Sequence, residues 1–256
     1  MKIDFGRTVD DYGTHRAGFP PSFYDALGGE GIAIAGRHAI DLGTGTGTLA
    51  RGLAARGALV IGIDPSDTML DEARRLARAD ALAIDFRRAT AEETGLAAAS
   101  ADLVSAGQCW HWFDRPRAAR ECRRLLRPDG LLVIAHFDWI PLPGNVVEAT
   151  EQLIRQHNPR WLLHGGSGVY GLWFADLAAA GFFDLRSRSF DEDVLYSHAA
   201  WRGRIRASAG VGASLSPAAV AVFDAAHAAM LAERFADEPL HVHHCVFFVT
   251  GRPPRH

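Results

Sequence analysis

The sequence has a single lysine, Lys2, among its 256 residues, and it lies beside a terminus expected to fray. A Schiff-base enzyme or a Walker-type phosphate loop needs a well-held lysine, so the composition argues against both. Cysteine is nearly as scarce: Cys109, Cys122 and Cys245 are odd in number and far apart. Such a set offers neither a disulfide framework nor a paired-cysteine zinc site, and packed thiols are expected. An excess of positive charge is missing too. Lys and Arg total 27 against 30 Asp and Glu, the formal charge is −3, and no basic block exceeds Arg87-Arg88 or Arg123-Arg124. Nothing there attracts a phosphate backbone or an anionic bilayer, so neither nucleic acid nor membrane is an expected partner. No stretch approaches the roughly 18 to 20 apolar residues of a membrane span, and no basic segment precedes an apolar run at the amino terminus. The expected location is the cytoplasm.

What is present describes a globular protein: 48% hydrophobic and 22% charged residues. The length suits one domain over residues 1–256, with lid or insertion segments at about 1–30, 138–182 and 191–240. Strands are expected at His38–Leu42, Leu59–Asp64, Leu82–Arg87, Ala101–Gly107, Leu131–Phe137, Phe182–Phe190 and Val242–Thr250. Helices are expected at Ser66–Ala79, Arg115–Leu126 and around Val146–Gln156, with two more in 197–235 separated by Gly210-Val211-Gly212. The turn Arg127-Pro128-Asp129-Gly130 is read as closing the helix before the fifth strand. This alternation predicts an α/β fold: a Rossmann-like, mostly parallel seven-stranded sheet with helices on both faces and an antiparallel last strand.

The chemistry concentrates in Asp41-Leu42-Gly43-Thr44-Gly45-Thr46-Gly47, directly after a strand and before a helix. Glycines there let the backbone approach a ligand, and a helix start presents unpaired amides. A dinucleotide fingerprint needs glycine or alanine three residues beyond Gly45, where Thr48 stands. A nicotinamide-dependent oxidoreductase is therefore the weaker alternative. The run resembles motif I of the class I S-adenosylmethionine-dependent methyltransferases, and the resemblance covers about residues 5–137. It implies that Asp41, Gly43, Thr44, Gly45 and Gly47 belong to the cofactor site and that Asp64 binds the ribose hydroxyls. Pro65 and Met69 match positions that pack on adenine. Arg88-Ala89-Thr90-Ala91-Glu92 resembles the family's Gly-Asp-Ala-Glu segment, with Thr90 in place of the Asp; Ala91 and Glu92 follow in register. Tyr12-Gly13-Thr14-His15-Arg16 resembles the lid of small-molecule methyltransferases, with Arg16 meeting the methionine carboxylate and Tyr12 near the sulfonium. Gly107-Gln108-Cys109-Trp110-His111-Trp112-Phe113-Asp114 resembles the segment after the fourth strand in the trans-aconitate-methyltransferase-like branch, which adds Gln108 and Cys109 to the cofactor site.

Ligands of such sheets lie at the carboxyl ends of the strands. That places His111 after the fourth strand and His136 at the end of the fifth, and His111 is the first candidate for a base, His136 the second. Phe19, Tyr24, Trp110, Trp139, Tyr170, Trp173 and Trp201 are candidate walls of an acceptor pocket, which points to a small apolar or aromatic metabolite. Arg202, Arg204 and Arg206 spread around a helix and are expected to face solvent; a clamp on a small carboxylic acid, which would be methyl-esterified, is the alternative. A non-catalytic, cofactor-binding scaffold subunit is another. No metal site is expected, since His241 and His243 share one strand face and His244 the other. A monomer or homodimer is expected.

Overall fold

The computed structural model describes residues 18–254 of the chain. Seven strands form its sheet: β1 (His38–Leu42), β2 (Leu59–Asp64), β3 (Ile84–Arg88), β4 (Ala101–Gly107), β5 (Leu126–Trp139), β6 (Phe183–Tyr196) and β7 (Leu240–Arg252). Their order is β3-β2-β1-β4-β5-β7-β6, in a mixed, mostly parallel sheet, as the alternating pattern predicts. β1 pairs in parallel with both β2 and β4. The chain thus winds outward in one direction from β1 through β2 to β3, and in the other from β4 to β5, leaving a switch-point crevice at the carboxyl ends of β1 and β4.

The helices are α1 (Pro21–Gly29), α2 (Thr48–Ala54), α3 (Asp67–Ala79), α4 (Arg115–Leu125), α5 (Val146–His157), α6 (Leu172–Ala179), α7 (His198–Arg206) and α8 (Pro217–Arg234). Caps define most of the starts. Ser66, Asp114, Asn145, Ser197 and Ser216 each accept a hydrogen bond from the amide three residues on, at α3, α4, α5, α7 and α8 respectively. α3 buries Met69, Leu70, Ala73 and Ala77, the stripe that a 3.6-residue period puts on one face. Among the described residues, no helix is long and apolar enough to cross a membrane.

Two expectations need correction. Arg127–Gly130 lies within β5 as an irregularity: Ala101 and Leu103 of β4 face Leu126 and Leu131, so three extra residues bulge out of β5. α6 lies in the 138–182 insertion, where a helix is expected only around Val146–Gln156; it is eight residues long and has no side-chain cap.

The described residues fall into two compact units, one made of 18–137, 170–189 and 246–254, the other of 138–169 and 190–245. In the first, Phe86 fills the space left by the bare Cα atoms of Gly47 and Gly62, packing α2 and α3 on one sheet face. α4 and α6 cover the other face through Trp110, Ala118, Cys122, Trp173 and Leu177. The 89–100 connection from β3 to β4 carries no helix, and Leu59 is left 57% exposed. The second unit packs α5, α7 and α8 around Val147, Ile154, Trp201, Ile205, Phe223 and Leu231. Burial of each large side chain there is worth about 2–3 kcal/mol. Gly210 is required by this packing: a Cβ would sit 2.9 Å from Ile154 and 3.0 Å from Trp161.

Candidate active site

The glycine loop between β1 and α2 is shaped by backbone torsions that side chains resist. Gly43, Gly45 and Gly47 have φ of +60°, +55° and +78°. Two carboxylates hold the loop. Asp41, at the end of β1, is 1% exposed and accepts hydroxyl hydrogen bonds from Thr44 and from Ser105 of β4, each at 2.7 Å. Burial pushes its carboxyl up to about 6, with the Thr44 and Ser105 hydrogen bonds opposing that rise. Asp64, ending β2, accepts the Gly45 amide on one oxygen and the Ser66 amide on the other, both at 2.9 Å. Burial raises its carboxyl as well, and the two amides counter it. The Thr44 amide donates to Ile63 at 2.9 Å, so β2 holds the loop through backbone and side chain together.

The segment after β4 folds back onto this loop. Cys109 donates its thiol to the Leu42 carbonyl at 3.1 Å, and Gln108 adopts a left-handed φ of +58° while its amide donates to Ala135 at 2.8 Å. A non-glycine residue in that region is locally unfavourable and clusters at functional sites. A Cβ on Gly43 would lie 2.9 Å from both the Cys109 sulfur and the Phe113 ring. Gly43→Ala is therefore expected to cost about 3 kcal/mol in urea unfolding, from overpacking and a left-handed alanine together. Gly45→Ala is the comparison: its Cβ meets only the flexible end of Met69, at 3.3 Å, and a cost of about 1 kcal/mol is expected.

The other expected cofactor residues differ in exposure. Pro65 is exposed and Met69 buried. Thr90 is exposed, Ala91 is buried, and the Glu92 carboxylate accepts the Asp114 amide at 2.9 Å, so its visible duty is to hold the start of α4. Tyr12 and Arg16 lie outside the described residues.

At the carboxyl ends of β4 and β5 the first unit gathers an aromatic cluster. The His111 and His136 rings are 5.5 Å apart. His111 is exposed on a 3-10 turn and packs on Trp112; His136 is buried between Tyr170 and Trp173. Phe19 packs on Phe23, Phe137 and the bare Cα of Gly107, near the same strand ends. Three other expected pocket walls are core side chains instead. Tyr24 has its hydroxyl against Gly52 and the Arg56 guanidinium 3.6 Å over its ring, and burial pushes its phenol upward. Trp110 has no exposed surface and donates to Asp176 at 3.1 Å. Trp201, in the second unit, is equally enclosed and donates to Thr150 at 3.1 Å. Large apolar side chains in insertions close a core before they line a pocket.

Also in the second unit, Trp139 is half-buried, donates to Glu151 at 3.0 Å and lies 4.6 Å from the Arg204 guanidinium. Arg202 and Arg206 do not face solvent alone: both pair with Asp224 of α8. His241 and His243 face Asp193 and Asp191 on β6, and among the described residues no group of three or more His, Cys, Asp or Glu is arranged to hold a metal ion. A shallow cavity of about 510 Å³ opens on β1, β2 and β3, at their amino ends and so away from the crevice.

The sequence reading missed Ser105, Phe113 and Asp176. Ser105 had a signal: it is a hydroxyl amid the apolar run of an inner strand, between Leu103-Val104 and Ala106, and a buried hydroxyl needs a partner. Asp176 had none, since its partners Trp110 and Arg115 are 66 and 61 residues away.

Comparison with known proteins agrees with this geometry. Residues 40–134 match the methyltransferase domain family. An uncharacterised methyltransferase of Mycobacterium tuberculosis is 40% identical over 153 residues, which cover 57% of this chain and 60% of that relative. The chain thus spans about 60% of the length of the mycobacterial relatives it matches. The solved structure of a candidate type II methyltransferase of Anaeromyxobacter dehalogenans superposes with a TM-score of 0.65 at 25% identity, covering 94% of this chain and 99% of that one. A phosphoethanolamine N-methyltransferase of Haemonchus contortus, solved with phosphomonomethylethanolamine and S-adenosylhomocysteine, shares the fold at a TM-score of 0.59 and 20% identity, covering 96% of this chain and 57% of that one.

Proposed function

We propose that this chain, whose residues 40–134 match the methyltransferase domain family, transfers a methyl group from S-adenosylmethionine to a small aromatic or apolar acceptor. One arrangement carries the reading: the glycine loop with Asp64 across it. Each Asp64 oxygen accepts one amide and keeps a lone pair, so the carboxylate can also take the two ribose hydroxyls. The side-chain-free face of Gly45 leaves room for a ligand, with the Met69 methyl as an apolar wall beside it, whereas the face of Gly43 is closed by Cys109 and Phe113. On this reading Thr90 and the Ala91 amide would meet the adenine edge. Haemonchus contortus phosphoethanolamine N-methyltransferase, a protein of the same fold, was solved with S-adenosylhomocysteine, which supports the donor.

When bound, the donor supplies a methyl on a sulfonium, and its transfer leaves a neutral thioether. The protein is then left to align the acceptor, keep water away and accept a proton. The half-buried Tyr170 offers an apolar face for the acceptor beside the end of β5, and a histidine of the 111/136 pair takes the proton.

Calorimetry with S-adenosylhomocysteine tests the donor site. Binding with a Kd on the order of 10 µM is expected, and no heat up to about 1 mM would overturn the reading. With an acceptor in hand, His111→Ala combined with His136→Gln should lower turnover by about 100-fold or more at unchanged S-adenosylhomocysteine affinity. Equal turnover across pH would reject a histidine base.

A further inference from the structure

We propose that Glu121 of α4 and Thr94 form the positioning pair that holds the loop after β3 against the base of the methyl donor, and that this contact sets the preference of the site for adenine over other bases. The proposal deepens the methyl-transfer reading and rests on it.

A base is joined directly to its ribose, so a nucleoside held through its ribose by the Asp64 carboxylate would put its base among the groups next to Asp64. The loop after β3 begins there. Arg88, the last residue of β3, is the register partner of Asp64, and the Ala89 amide donates to the Asp64 carbonyl at 3.3 Å. Thr90 and Ala91 are the next two residues. A backbone N–H only donates, which makes it selective between two purines. Adenine N1 accepts a hydrogen bond, whereas hypoxanthine N1 carries a hydrogen and would oppose donor to donor. That selectivity requires the amide to be held to within about 0.5 Å.

Regular structure does little of the holding. Residues 89–100 contain no helix, and their own order is one bridge between Thr90 and Glu93. Ala91 and Leu96 pack on the core, but apolar contact is non-directional and tolerates a small slide. The directional contacts run to α4. The Glu121 carboxylate, in a side chain 9% exposed, accepts the amide of the buried Thr94 at 3.1 Å and its hydroxyl as well. That hydroxyl in turn accepts the Leu96 amide at 3.3 Å. Arg124 holds the pair from the solvent side, donating to both Glu121 oxygens at 2.7 Å and to the Leu96 carbonyl at 2.8 Å. Glu92 adds an attachment in the reverse sense, from the loop to the Asp114 amide at the start of α4. Burial works to raise the Glu121 carboxyl, and the hydrogen bonds from Arg124 and Thr94 overcome it and hold it at about 2. At neutral pH it is a carboxylate that accepts on both oxygens. The Ala89 amide on Asp64 thus fixes one end of the segment 89–94, and Glu121 fixes the other.

Calorimetry with S-adenosylhomocysteine and with S-inosylhomocysteine, its hypoxanthine counterpart, tests the pair. The wild type should prefer adenine by at least about 10-fold. Thr94→Val keeps the shape and removes the hydroxyl, and Glu121→Gln leaves one oxygen to serve Thr94 and Arg124 together. In both, the preference should fall to within about threefold, chiefly through weaker S-adenosylhomocysteine binding, and Thr94→Ser, which keeps the hydroxyl, should retain it. A full preference in T94V overturns the proposal, and so does an equal loss for both ligands, the mark of general loosening. If E121Q does not fold, T94V and T94S decide alone. In the ligand-free protein, hydrogen exchange over residues 90–96 should be faster in T94V than in the wild type or T94S, and equal rates overturn the proposal. The donor reading reports separately. No S-adenosylhomocysteine binding by the wild type sinks methyl transfer, whereas binding without a preference for adenine leaves that reading standing and sinks the role of the pair.

Discussion

Asp64→Ala is expected to weaken S-adenosylhomocysteine binding by at least about 100-fold in calorimetry. Each ribose hydroxyl donated to an ionised carboxylate is worth about 1.5–3 kcal/mol, and every 1.4 kcal/mol is tenfold in affinity. The substitution also strips the Gly45 and Ser66 amides of their acceptor, so the loop loses its hold on β2 just where the ligand would lie. Asp64→Asn is the informative companion. Its amide nitrogen must face one of two backbone N–H groups, and donor against donor misplaces the loop even though the shape is kept. Circular dichroism and the melting temperature should show both variants folded. Equal affinity in D64A would remove the ribose role and with it the main support for the donor assignment.

The second large effect is on acid stability. Burial lowers His227 to about 4, with Asp224 opposing, and burial lowers His244 to about 4, with its hydrogen bond to Val242 opposing. Both rings are folded in the neutral form, whereas the unfolded chain binds protons near 6.5. Their contribution is therefore intact above pH 6.5 and is lost as pH falls from 6.5 toward 4, by up to about 3 kcal/mol for each histidine. Asp41 acts in the opposite sense. Its carboxyl is raised to about 6, so its stabilising proton is present below pH 3.8 and lost as pH rises to 6. Two histidines outweigh one carboxyl, and urea unfolding energies should fall on acidification across this window. His227→Gln should remove about half of the histidine-driven slope, since glutamine keeps a donor toward Thr150 without titrating. Asp41→Asn should steepen it. A flat wild-type profile between pH 4 and 6.5 would contradict the buried neutral state of both rings.

What was legible in the sequence was what is local. β1, the glycine loop, β2 and α3 follow from strand periodicity, glycine spacing and a serine cap, all within 42 consecutive residues. Features that depend on residues far apart were not legible. The Asp41–Ser105 hydrogen bond spans 64 positions, and the left-handed Gln108 goes with its backbone N–H reaching the Ala135 carbonyl of the neighbouring β5. The bulge at Arg127–Gly130 looked like a turn because Pro-Asp-Gly is turn chemistry; pairing with β4 drew it into the sheet. Arg202 and Arg206 looked solvated because α8, which carries their partner Asp224, lies beyond any local window. Trp201 looked like a pocket wall because hydrophobicity does not distinguish an enclosed ring from a lining one.

The two compact units are not consecutive pieces of chain. Among the described residues the backbone passes from one to the other four times, after residues 137, 169, 189 and 245, and three of those passages fall inside β5, β6 and β7. Neither unit can be excised by a single cut or transplanted as a cassette, because a gene exchange would have to splice at four places and break three strands. Diversification of a chain threaded in this way is open to point substitution and to changes of loop length, and closed to the shuffling of whole modules.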